Sequence, residues 1–392
     1  MNRPLALLAA LGCLWVSPAR AQTDTVKGLP DVIGTAAEEV LKLVKNQPLS
    51  IGQVTPTGLP DVNGGPAIGI LLRQALERLK PGIVRDKDAP FEVNGTFVFG
   101  PHPDPKEATL GQKALRLIFR IVDTQTGEET PLRLSRFFLQ DNTSIARVLQ
   151  PSGPLPTGPA GDQPAQRRER NQAIQDLLKH PRAFVDPARP SVVSTGPDSP
   201  YRVEILAGPL GDGNTRPTEG RPARVDDNGL ALIDLKQDEV YEIRLYNASP
   251  DEVAARVFID GIDSFQFSDD RDPRDPTKPR FSHYNLAGRP ERGAETVAQL
   301  PGWHKRAVGT DNFLAFLVTA YGKGASTKGV VAQGATGVIQ VQFARSHPLP
   351  ADGRPRGAGN ETGFGPPRQG EQKVVAREIE PFIDAVAIRY AH

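Results

Sequence analysis

Two different periods of apolar and polar residues divide the chain. Between Ala36 and Lys45, Val40, Leu41 and Val44 form a helical stripe with charges between them, and Pro48 ends it. Leu49 to Val54 then alternates as a strand. Asn63-Gly64-Gly65-Pro66 opens a second helix, with Pro66 suited to its first turn. Ile68, Leu71, Leu72, Ala75, Leu76 and Leu79 line one face of it until Pro81-Gly82. Strands are expected from Phe91 to Phe99, Leu115 to Asp123 and Thr130 to Leu139, the last two joined by a turn at Thr124-Gln125-Thr126-Gly127. A short helix runs from Asn142 through Leu149. This order over residues 28–150 predicts a mixed α/β sandwich.

The texture then changes twice. Residues 151–200 are Pro-rich, and "PSGPLPTGPAGDQPAQ" reads as an extended, semi-rigid connector. A helix from Arg167 to Lys179 interrupts it, with Ala173, Ile174, Leu177 and Leu178 on one face. A helix of that length is marginal alone, so it is expected to dock on a neighbouring domain. Its Arg167-Arg168-Glu169-Arg170 start reads as a solvated face. From residue 201 to 392 strand patterns dominate: Tyr201 to Ala207, Leu230 to Leu235, Val240 to Tyr246, Val253 to Asp260, Phe313 to Tyr321, Gly337 to Phe343 and Phe382 to Tyr390. Asp226-Asp227-Asn228-Gly229 is a turn signal, and "HPLPADGRPRGAGNETGFGPPRQGEQK" reads as a mobile surface loop. Strands at this spacing predict two packed sheets. The expected class is therefore α+β, an N-terminal α/β sandwich followed by a linker and a C-terminal all-β sandwich.

The helix "GGPAIGILLRQALERLK", the phrase "FEVNGTFVF" and the strand-turn "ALRLIFRIVDTQTGEET" resemble the envelope-protein module of CsgG-type secretion components. The same module occurs in LpoB-type activators of penicillin-binding proteins. The resemblance implies an α/β fold and a role in recognising or assembling with other envelope proteins, without enzymatic activity. Farther on, "YEIRLYNASPDEVAARVFIDGIDSF", "LPGWHKRAVGTDNFLAFLVTAYG" and "TGVIQVQFA" resemble a β-domain of uncharacterised exported bacterial proteins.

Composition narrows the function. The 47 basic and 46 acidic side chains give a net charge of +1, which speaks against nucleic acid as a partner. The 38 Gly and 38 Pro of 392 residues leave the chain below the roughly 25–30% Gly and Pro of low-complexity sequence. Arg3, the apolar run from Leu5 to Val16 and Ala19-Arg20-Ala21 have the form of a secretory signal peptide over residues 1–21. Cleavage near Ala21 is expected to yield an exported protein, periplasmic or extracellular, without cysteine. A second reading has Cys13 as a lipid attachment site, which would add peripheral membrane association.

Candidate chemistry is sparse. Asp260, Asp263, Asp269, Asp270 and Asp272 crowd "DGIDSFQFSDDRDPRD", where an exported protein could hold structural Ca²⁺. The interleaved Arg271, Arg274 and Lys278 offer self-pairing instead. The six histidines are scattered, with no zinc spacing, no G-x-S-x-G elbow and no phosphate-binding loop. Trp303 and His304, in Pro301-Gly302-Trp303-His304-Lys305, are candidate binding residues on a loop; the competing reading has Trp303 as an aromatic plug of the core. The expected role is non-enzymatic protein–protein interaction in the cell envelope, with no cofactor and no catalytic residue assigned. The alternatives are a carbohydrate or cell-wall binder that stacks sugars on Trp303, and a hydrolase whose two carboxylates come from separate strands.

Overall fold

In the first helix, α1 (Leu29–Leu43), Pro30 occupies the first turn, Asp31 sits at the N-terminal end and Lys42 at the other, an arrangement favoured by the helix dipole. The helix starts well before Ala36 because a proline in the first turn is no breaker and Leu29, Val32 and Ile33 extend the buried stripe. The computed structural model describes residues 28–58, 62–85, 88–132, 136–138, 142–156, 163–210, 216–289, 295–307, 312–319, 337–348, 360–364 and 372–391. The expected leader, with Cys13, lies outside the described residues.

After α1 come β1 (Leu49–Thr57), α2 (Gly65–Leu79), β2 (Phe91–Pro101), α3 (Pro105–Thr109), β3 (Lys113–Asp123), β4 (Glu129–Pro131), β5 (Arg136–Phe138) and α4 (Asn142–Leu149). The single strand expected from Thr130 to Leu139 is thus two short ones. β1 and β2 are parallel, joined through α2, and β3 runs antiparallel to β2, β4 and β5. Asp123 Oδ1 accepts from the N–H groups of Gln125 and Thr126 in the turn that follows β3, and Gly127 takes φ +73° there.

Residues 151–200 do not form a free tether. They hold β6 (Gly153–Pro154), α5 (Gln163–Lys179), β7 (Phe184–Asp186) and β8 (Arg189–Ser194). The basic start of α5 is likewise in use. Arg167 pairs with Glu107 at 2.6 Å, Arg168 donates to the Thr109 carbonyl and Asn171 to the Leu110 carbonyl. Arg168 and Asn171 thus satisfy carbonyls that the end of α3 leaves open. On its apolar side Ile174 and Leu177 are buried.

The remaining strands are β9 (Tyr201–Pro209), β10 (Ala223–Val225), β11 (Ala231–Asp234), β12 (Glu239–Asn247), β13 (Val253–Ile259), β14 (Ile262–Asp263), β15 (Arg271–Asp272), β16 (Asp275–Pro279), β17 (His283–Leu286), β18 (Thr296–Leu300), β19 (Gly302–His304), β20 (Phe313–Leu317), β21 (Gly337–Pro348), β22 (Asn360–Phe364) and β23 (Gln372–Ala391). With 47% strand and 20% helix the protein is broadly β-rich, with several sheets and few helices. A nine-stranded sheet runs β10-β11-β23-β21-β13-β17-β22, with β14 added on β13 and β6 on β23, and a seven-stranded sheet runs β19-β20-β12-β9-β8-β7, with β18 added on β12. Alternate residues of both line one apolar core: Val203, Ile205, Ile243 and Leu245 meet Val257, Ile339, Val341 and Ile388. The segment read as a surface loop contains β22, hydrogen-bonded to both β17 and β23.

The nine-stranded sheet is covered on its other face as well. Ala344, Phe382 and Ala385, from β21 and β23, belong to the core of the N-terminal helices, and Ala67 and Ile70 of α2 belong to the core of the large sheets. β6 adds to β23 opposite Asp384 and Ala385, while Gln340 Nε2 donates to the Pro151 carbonyl. At the tip of the β13–β14 hairpin, Asp260 and Gly261 both have positive φ, as a two-residue hairpin turn requires. A Cβ on Gly261 would stand 2.3 Å from the Arg147 carbonyl oxygen and 3.1 Å from Ala67 Cβ. Gly127 has nearly the same φ with open space around it. Gly127→Ala therefore carries only the left-handed backbone cost, about 1–2 kcal/mol, whereas Gly261→Ala adds an overpacking cost of about 1–3 kcal/mol. Denaturant unfolding of the two variants measures the difference; equal losses would mean that the hairpin tip is not seated on the N-terminal helices.

Candidate functional site

The residues singled out from the sequence do not converge. Trp303 is 9% exposed, its ring edge-on to Phe267 and Phe316 at centroid distances of 5.2 and 5.3 Å. His304 is fully buried. Its Nδ1 lies 3.0 Å from Ser268 Oγ, its N–H donates to the Ser264 carbonyl, and its ring packs against Phe265, Phe281 and Phe313. The Gly-Trp-His segment is strand β19, paired with β20, rather than an exposed loop. So little of the indole is exposed that it has no open face to offer a sugar.

The acidic stretch disperses. Asp260 Oδ1 accepts from Asn63 Nδ2 and the Val338 N–H, and its Oδ2 from the Tyr390 hydroxyl. Asp263 is held by Arg256 at 2.6 and 2.7 Å and by the Phe265 N–H. Asp269 pairs with Arg306, Asp270 accepts from the Ala307 N–H, and Asp272 caps the Arg274 N–H. The candidate calcium ligands thus face separate partners, two of them arginines from outside the stretch. Among the described residues no three His, Cys, Asp or Glu side chains gather as metal ligands. Lys278 does pair locally, with Asp275.

The polar clusters that do form come from positions that no local pattern connects. On the outer face of the seven-stranded sheet, Glu204 of β9 accepts from Ser191 Oγ at 2.6 Å, the Tyr246 hydroxyl at 2.5 Å and Arg244 at 3.0 Å. Glu242 of β12 accepts from Gln299 and pairs with Arg216 at 3.1 Å. Because Arg244 is the register partner of Glu204, Glu242 is its diagonal neighbour, roughly 7–8 Å away on the same face. Two carboxylates on one face are the minimum that a hydrolytic pair requires. Their surroundings are different from such a pair. A Cβ on Gly220 would stand 2.3 Å from Glu204 Oε1, so the backbone of residues 219–221 lies directly over the carboxylate. Burial pushes the Glu204 carboxyl up, but Ser191, Tyr246 and Arg244 together hold it below the ordinary carboxylate range. A general acid needs a shift in the opposite direction. The cluster is a clamp that ties β8, β9 and β12 together, extended by Glu295, which bridges Arg189 and Arg202.

Exposed aliphatic side chains flank this clamp. Leu317 is 40% exposed and is the register partner of Val240, which also pairs with Gly208. Leu210, 56% exposed, follows β9, and its N–H donates to the carbonyl of Asp238. Val297, 47% exposed, is the partner of Tyr246 at the other end of β12. The outer surface of the nine-stranded sheet has a recess lined by Arg256, His283, Gln342, Ala344, Glu380 and Phe382. Its open volume of about 20 Å³ suits one water molecule. Burial, together with the charge of Arg256, holds His283 neutral, well below the ordinary histidine range. No helix among the described residues is long and apolar enough to cross a membrane.

Two outcomes follow from these surroundings. Trp303→Ala empties a core site and should cost about 3–5 kcal/mol in denaturant unfolding; an unchanged melting curve would place the indole outside the core. Because the Glu204 carboxyl titrates below its ordinary 4.5, its contribution is complete above that pH and is lost as pH falls through the lowered value. Glu204→Gln should therefore be less stable than the parent at pH 7, with the gap narrowing as pH falls below the ordinary 4.5. A gap independent of pH would remove the charge from the explanation.

Compared with protein-family models, with curated proteins and with solved structures, the chain matches none.

Proposed function

We propose that this is a non-enzymatic protein of the cell envelope that works by binding another envelope protein. Under this reading residues 28–150 are a CsgG/LpoB-type α/β sandwich, and β7–β23 build a β-sandwich that it braces. The observation that supports binding most directly is the outer face of the seven-stranded sheet. Leu210, Leu317 and Val297 stand exposed around an Arg, Glu and Tyr network whose side chains are already fixed by hydrogen bonds. Arginine set among exposed aliphatic side chains is typical of protein interfaces, and a pre-ordered network lowers the entropy lost on association. The proposed export and the proposed role agree, since the partner would be met after translocation.

The double variant Leu210→Asp, Leu317→Asp tests the surface. In cross-linking against an envelope extract, the wild-type protein should capture a defined component. The variant should lose that product at least tenfold while keeping the wild-type melting temperature. Equal capture by both proteins, or no capture above background by either, would count against the proposal.

A further inference from the structure

β23 carries an irregularity at its centre. Phe343 of β21 pairs with Asp384 while Ala344 pairs with Phe382, so Ile383 is an extra residue in the ladder. The bulge separates two destinations. Phe382 packs among the N-terminal helices, with Arg170 over its ring at 4.5 Å, whereas Asp384 shares the face of Phe343, whose ring stacks on Tyr201. An acidic side chain is thereby placed between the two large sheets, 4% exposed.

Its partners are hydroxyls of the β8–β9 turn. Thr195 Oγ1 lies 2.9 Å and Ser199 Oγ 3.0 Å from Asp384 Oδ2. Oδ1 is enclosed and receives no hydrogen bond. The charged groups nearby sit at one remove. Tyr201, from β9, has its phenol pushed up mainly by burial, with Asp384 adding to the rise. Arg345 and Asp251 act on that phenol with opposite sign. On the helical side Arg170 is committed to the Phe382 carbonyl at 2.8 Å. β6 contributes only Gly153 and Pro154.

This network accommodates a proton better than a charge. Ser199 Oγ also lies 3.2 Å from the Tyr201 carbonyl. A protonated Oδ2 can donate to Ser199, which donates onward to Tyr201, while Thr195 donates to Oδ2. In the ionised form Ser199 can serve only one of its two acceptors, and Oδ1 holds uncompensated charge in an enclosed site.

We propose that Asp384 is an acid-strengthened latch between the two large sheets: protonated, it fastens β23 to the β8–β9 turn, and ionised, it loosens that turn. Burial raises the Asp384 carboxyl to about 6 from 3.8, against the opposing hydrogen bonds of Thr195 and Ser199 and a smaller pull from the adjacent Ala385 N–H. The folded state then holds this proton on the order of a hundredfold more tightly than the unfolded chain. The sign follows from linkage. The stabilisation is fully present below about pH 4 and is lost as pH rises through about 6. Carboxylates held low, such as Glu204 and Glu252, work in the opposite sense.

The test compares full-length wild type with Asp384→Asn by denaturant unfolding. Between pH 4 and pH 7.5 the wild-type folding constant should fall relative to the variant by up to about a hundredfold. A ratio that does not change with pH overturns the latch. Should the variant fail to fold, the ¹³C carboxyl resonance of Asp384 in the wild type decides: a midpoint near pH 6 supports the proposal, and one below 4.5 overturns it. Amide hydrogen exchange at residues 195–200, corrected for intrinsic rates, should rise between pH 5 and 7.5 in the wild type. Unchanged protection there would mean that the acid does not control the turn.

Discussion

The nine-stranded sheet buries apolar side chains on both faces, and the rest of the architecture depends on that second buried face. A sheet with one dry face alternates apolar and polar along each strand; here Ala344, Phe382 and Ala385 of the outer face are as enclosed as Val341 and Ile388 of the inner one. Each buried aliphatic or aromatic side chain is worth roughly 1.5–3 kcal/mol over its exposed form. The N-terminal helices therefore cannot leave that face without a large loss. Helix α2 shows the same constraint from its own side, since Ile68 and Leu72 face the small sheet while Ala67 and Ile70 face the large ones.

This coupling changes the meaning of the Pro-rich stretch. Its composition is that of a connector, yet β6 supplies two ladder residues to β23 and α5 binds the carbonyls of residues 109–111 through Arg168, Asn171 and Gln175. Prolines at 151 and 154 are compatible with a strand this short at a bulge, where no continuous ladder is required. The halves of the chain are consequently held by backbone pairing, by side-chain hydrogen bonds and by a shared apolar layer.

Periodicity made most of the elements legible. The helix at Pro66, the strands from Phe91, Leu115, Tyr201 and Val240, and the turns at Asp123 and Asp226 all stand where the alternation of residues places them. What local pattern did not reveal was long-range. The first turns of α1 lie before the stripe read from Ala36, where Pro30 and Gly34 interrupt the pattern, and the edge strand β22 lies inside a Gly- and Pro-rich segment that only pairing with β17 and β23 orders. The polar clusters were hidden for the same reason. Glu204 and Glu242 are separated by a turn and two strands, and Thr195 and Asp384 by most of the C-terminal half. Trp303 was legible as an aromatic plug of the core beside its reading as a loop residue, but not its partners, because Phe267 and Phe316 arrive from other segments.

β23 is the last of the described strands in sequence and yet lies in the interior of its sheet, between β11 and β21. During synthesis, the N-terminal helices would emerge long before the strand that completes the surface they pack against. Such long-range closure makes assembly slow relative to folds built from neighbouring segments. Until residues near 390 are available, Ala67 and Ile70 of α2 lack much of their cover, a period of exposed apolar surface in which a holdase chaperone would have a natural substrate.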